Sequence, residues 1–128
     1  MIVAEKEFTF VDLLGGKEQI GMQIHSGFDI LSLSHAGISK SSLESLIEHI
    51  GVSKKSFIEN VLDLSIKTIE RKKAADKLDK RTSSHIIEIA KVVEHAFNVF
   101  EEPEKVRQWL NTPNRSLNNL KPIELFEM

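Results

Sequence analysis

The sequence contains no cysteine, which excludes disulfides, thiolate zinc sites and thiol nucleophiles and fits a reducing compartment. It contains no stretch near the ~20 apolar residues of a membrane span. Met1–Glu7 carries acids where a signal peptide needs a long apolar run. A soluble, cytoplasmic protein with no membrane association is therefore expected. Catalytic signatures are missing too. Gly15-Gly16 is not closed by the Gly-Lys-Ser/Thr of a phosphate loop, and no Gly-x-Ser-x-Gly turn organises a nucleophile. The histidines at 25, 35, 49, 85 and 95 form no i, i+4 pair for a helical zinc site, and no acid-rich segment has the pattern of a calcium loop. A binding protein is expected, not an enzyme, with no metal and no cofactor.

What is present is apolar material and patterned charge. Hydrophobic residues make up 41% of 128, enough for a sizeable core in one compact domain or two small ones sharing a core. The formal net charge is only -2, so any attraction for a polyanion must come from charge distribution. Between Ser53 and Arg81 nine basic residues stand against five acidic ones, a local charge of +4 that leaves -6 for the rest.

Periodicity predicts an all-α fold. Phe10–Leu14 suits one helical turn closed by Gly15-Gly16, whereas Ile20, Met22 and Ile24 alternate as in a strand. Phe28–His35 suits a short helix ending at Gly37. Leu43, Leu46, Ile47 and Ile50 line one face of a helix, with Ser41 and Glu44 in capping-box spacing and Gly51 at its end. Ser53 can cap a second helix buried through Phe57, Ile58, Val61 and Leu62. After a tight connection at Asp63-Leu64, Ser65 can cap a third, running on through Lys73 into Ala74-Ala75 with Ile66 and Ile69 inside. Lys77–Ser84 reads as a loop. Ile86, Ile89, Ala90, Val93, Phe97 and Phe100 then mark a long helix. Pro103 opens another, with Val106, Trp109 and Leu110 inside and Pro113 beyond its end, and Pro122 opens a last.

The positive span coincides with the pair of helices that would make a helix-turn-helix, whose second helix enters the major groove. Ser65, Lys67 and Thr68 suit the groove-facing end of such a helix. Arg71 lies one turn beyond Lys67 and suits guanine. Lys54 and Lys55, at the start of the preceding helix, and Lys72, in the basic run, suit phosphates. A solvated charged face explains the same lysines, and Glu70 and Asp63 count against DNA. Trp109 is either an interface anchor or core packing between helices. Arg115 either contacts a partner or holds its own loop by a backbone bond.

Ser65–Lys73 resembles the recognition-helix region of the Xre/MbcA/ParS antitoxins, although that family often has Arg where Glu70 stands. Ala96–Phe100, Trp109–Leu117 and Pro122–Phe126 resemble the family's toxin-binding domain in order and spacing. The resemblance implies residues 1–38 as an N-terminal extension, 39–81 as an Xre-like helix-turn-helix region and 82–128 as a small helical toxin-binding and dimerisation domain. It implies a partner toxin of the NAD-consuming RES type, held through a surface that includes Trp109, Asn114 and Arg115. It also implies operator DNA as a ligand, autorepression and a homodimer. The family continues beyond the Pro-Ile-Glu-Leu-Phe segment, so the toxin-binding domain is expected to be incomplete at Met128. The alternative is a helical partner-binding protein whose helix-turn-helix no longer binds DNA.

Overall fold

The computed structural model describes residues 9–126. Residues 1–8, the start of the N-terminal extension and the acidic stretch weighed against a signal peptide, lie outside the described residues. So do 127 and 128. The described residues are helical, with no strand among them and only two isolated bridges, Ser39 with Lys77 and Asn114 with Leu120.

The longest helix organises the rest. It is α7, Lys80–Phe100, and its 21 residues span about 31 Å at 1.5 Å each. Ile86, Ile87, Ile89, Ala90, Val93, Ala96 and Phe97 are buried along it. Against it pack α1 (Phe10–Leu13), α3 (Gly27–Ala36), α4 (Lys40–Ile50) and α8 (Pro103–Leu110). Between α1 and α3 lies α2, Lys17–Ile20, which rests on α4. A single apolar cluster runs from Phe10 to Ile123. Each fully buried Leu or Ile in it contributes about 1.5–3 kcal/mol.

Helix ends follow local chemistry. Ser26 caps α3, and Gly37, at φ 94°, ends it by donating its N–H to the Leu33 carbonyl at 2.9 Å. Gly51, at φ 74°, closes α4 as its spacing predicts. Ser53 accepts from the Ser56 N–H at 3.3 Å and starts α5, Lys54–Ser56. Pro103 occupies the first turn of α8.

Six expectations need correction. Ile20, Met22 and Ile24 form no strand: α2 ends at Ile20, Gly21 turns the chain at φ 78°, and no partner strand exists among the described residues. Met22 and Ile24 still pack against the core, which accounts for their alternation. The cap of α4 is Ser39, not Ser41, because the Ser39 hydroxyl accepts from the Ser42 N–H at 3.1 Å while Glu44 pairs with Lys54. The helix after Ser53 passes into a π-helical stretch, Phe57–Val61, where the Leu62 N–H reaches the Phe57 carbonyl five residues back.

The third helix, α6, covers only Ile66–Glu70 and does not reach Ala75. Ser65 stands at its N-cap without a side-chain bond. Beyond it the chain is strapped to the start of α4. The Ser41 N–H meets the Ala74 carbonyl at 3.0 Å, the Lys40 N–H meets Asp76 at 2.9 Å, and Leu78 donates to Ile38 at 2.8 Å. Fifth, Lys77–Ser84 is not all loop. Asp79 accepts from the Thr82 N–H at 2.7 Å and starts α7 at Lys80. Sixth, the segment opened by Pro122 is a 3-10 turn, Pro122–Phe126, instead of an α-helix.

Candidate functional site

Most of the basic side chains of the span are exposed. Ile69 is buried and Ile66 half-buried, which turns Lys67, Thr68 and Arg71 outward together. Lys67 and Arg71 lie one turn apart, the Arg71 N–H donating to the Lys67 carbonyl at 3.1 Å. Ser65 and Lys55 are exposed, and Lys72 is half-buried. Lys72 and Lys73 leave the helix in a turn held by Asp76, whose carboxylate accepts from the Lys73 N–H at 2.8 Å.

Lys54 is tied to carboxylates instead. Its ammonium bonds the Glu44 carboxylate of α4 and lies 2.8 Å from Glu70 Oε1 on α6. The Glu44 hydrogen bond, then that of Glu70, raises the Lys54 pKa above its ordinary value. The hydrogen bond from Lys54 likewise holds Glu70 below the ordinary carboxylate range. Lys40, which the sequence did not single out, donates to the Lys72 carbonyl at 3.0 Å and the Glu70 carbonyl at 3.4 Å. Those carbonyls lie at the negative end of α6, where a cation is favoured.

A second surface lies at the far end of α7. The structure brings Trp109, Asn114 and Arg115 around one open groove with Phe100, Lys105, Gln108, Thr112 and Pro113. The Phe100 and Trp109 rings, with centroids 5.7 Å apart and planes tilted by 41°, form its apolar part. Trp109 is half-buried, so it both packs on the core and shows a face to the groove. Asn114 shapes the next turn: its side chain accepts from the Ser116 N–H at 2.9 Å and caps the 3-10 turn Arg115–Leu117. Its backbone N–H meets Leu120 at 3.0 Å. Arg115 is exposed. The i, i+9 spacing of Phe100 and Trp109 crosses the break between α7 and α8, so helical periodicity alone does not pair them.

The groove is fastened to the body of the fold. Arg107 Nε donates to the His49 carbonyl at the end of α4 at 3.0 Å, and its other arm reaches Glu104 at 3.2 Å. The Phe126 carbonyl lies 2.7 Å from His85 Nε2, so that nitrogen carries the proton and ties the last turn to α7. Among the described residues no group of three or more His, Asp or Glu side chains could hold a metal ion, and no helix is long and apolar enough to cross a membrane.

Residues 95–127 match the family model of the antitoxin Xre/MbcA/ParS C-terminal toxin-binding domain. The match begins inside α7 and takes in all of α8, the groove and the final turn. No curated protein sequence matches the chain.

Proposed function

We propose that this chain, which carries an Xre/MbcA/ParS toxin-binding domain over residues 95–127, is an antitoxin that neutralises a cognate toxin by direct contact. The observation that carries the reading is the gathering of Trp109, Asn114 and Arg115 around one groove inside the matched segment. A part-exposed aromatic beside an exposed arginine is the composition of an interface hot spot. The partner is a RES-type, NAD-consuming toxin encoded beside it. The test is co-expression with that neighbour. Wild-type chain should co-purify with the toxin and silence its NAD turnover. Trp109→Ala with Arg115→Ala should lose both effects while remaining folded. Full capture by the double variant would refute this surface.

The same protein represses its own operon through residues 39–81, read as a helix-turn-helix, with residues 82–128 binding toxin and a second copy and 1–38 an N-terminal extension. Lys67, Thr68 and Arg71 face the groove of the DNA, and Lys55, Ser65 and Lys72 flank them. The exposure of Lys67 on α6 and of Arg71 just past its end supports this reading. A homodimer on a symmetric operator suits such a motif. One observation favours a second reading, a partner-binding protein that no longer touches DNA: the exposed carboxylate of Glu70 on the same short helix. Gel shifts on the promoter duplex at two salt concentrations decide between them, since true phosphate contact must weaken as salt rises.

A further inference from the structure

Lys54 lies at the crossing of three elements. It is the first residue of α5, and its ammonium bonds Glu44 from α4 and Glu70, the last residue of α6. Two of its three N–H donors are thereby committed to carboxylates. Its side chain is 31% exposed and that of Glu70 52%, so the pair is wet and modest in strength. Its position matters more than its strength. α6 has five residues, far below the length at which an isolated helix is stable. It follows a π-helical stretch and has no side-chain cap at Ser65. Its pose therefore depends on tertiary contacts: Ile66 and Ile69 pack on the core, and polar bonds hold its C-terminal end. Lys40 holds the Glu70 and Lys72 carbonyls there, and Lys54 holds the Glu70 side chain.

Glu70 is also the acid that speaks against DNA. A bare carboxylate beside Lys67 and Arg71 would repel phosphate. Lys54 offsets part of that charge, an ammonium it shares with Glu44, and Lys40 adds to the offset. We infer that Lys54 is a positioning residue that clamps α6 and acts as an internal counter-ion for Glu70, and is not a phosphate ligand. The clamp follows from the contacts alone, and its effect on affinity rests on the DNA-binding reading.

The test uses the full chain with a mixed-sequence DNA duplex, measured over a series of salt concentrations. Lys54→Met should weaken binding roughly two- to fivefold, the scale of an exposed ion pair. It should leave the slope of log affinity against log salt unchanged. In a Glu70→Gln background the same substitution should cost less, because the carboxylate it would unmask is gone. A phosphate ligand behaves differently. Its loss flattens the slope by about one and costs the same in both backgrounds. That result overturns the counter-ion assignment. Hydrogen exchange without DNA tests the clamp separately. The amides of Ile69, Arg71 and Lys72 should exchange faster in Lys54→Met than in wild type, and unchanged exchange overturns the positioning role. Should wild-type chain bind no duplex, the DNA reading fails while the exchange result still decides the clamp.

Discussion

A methyl group at position 37 would stand 2.6 Å from the Leu78 carbonyl oxygen, on a backbone already at φ 94°. Both the left-handed conformation and the close approach demand glycine there. Gly37→Ala should therefore destabilise the protein by about 2 kcal/mol, read as a shift of the urea midpoint at constant slope. Asp79 is the second residue with little freedom. Its carboxylate accepts from the Thr82 backbone N–H, and this bond, more than any other cause, holds its pKa below the ordinary value. A lowered native pKa means that the folded state binds that proton less readily than the unfolded one. The contribution is complete above the unfolded value and disappears as pH falls through the lower native value. Asp79→Ala should cost about 1 kcal/mol at neutral pH. Asp79→Asn should retain most of the cap while losing this acid dependence. Urea denaturation at pH 7 separates the two variants, and its repetition at strongly acidic pH separates wild type from both.

At the scale of elements, α8 has two neighbouring side chains with different duties. Leu110 is fully buried, so Leu110→Ala should cost about 2–5 kcal/mol and lower thermal stability sharply. Trp109 shares its surface between core and groove, so Trp109→Ala should cost less stability than Leu110→Ala and more partner affinity. Equal losses of affinity at matched stability would contradict that division. Elements with a long apolar repeat were legible from sequence: α4, α7 and α8 lie where Leu43–Ile50, Ile86–Phe100 and Val106–Leu110 place them. What sequence misjudged were ends and partners. At the stop of α6, the Glu70 and Lys72 carbonyls are taken by Lys40, a residue thirty positions before Glu70. No local pattern encodes that reach. The start of α7 at Asp79 was encoded locally, but the polar run Lys77–Ser84 hid the cap. The groove was half legible: Trp109, Asn114 and Arg115 stood out by residue type and family resemblance. Phe100 and Lys105 join them only through the chain reversal after α7.

Across the whole molecule, charge is divided rather than accumulated. The span from Ser53 to Arg81 is positive while the remainder is negative, and Lys54 is spent internally. On the proposed DNA-binding reading, affinity should accordingly be modest and fall as salt rises. On that reading, replacing Lys67 and Arg71 together with alanine should flatten the salt dependence by about two ionic contacts per bound chain. An unchanged slope in fluorescence anisotropy would remove α6 from the DNA interface. The arginine at 107 carries a different implication, for engineering. Because its guanidinium ends on the His49 carbonyl, and Gly51 lies flush against its side chain, the segment matched by the family model is keyed to a helix far upstream in sequence. A chimera that borrows residues 95–127 from another such protein must import the end of α4 with them, or leave the lock without its key.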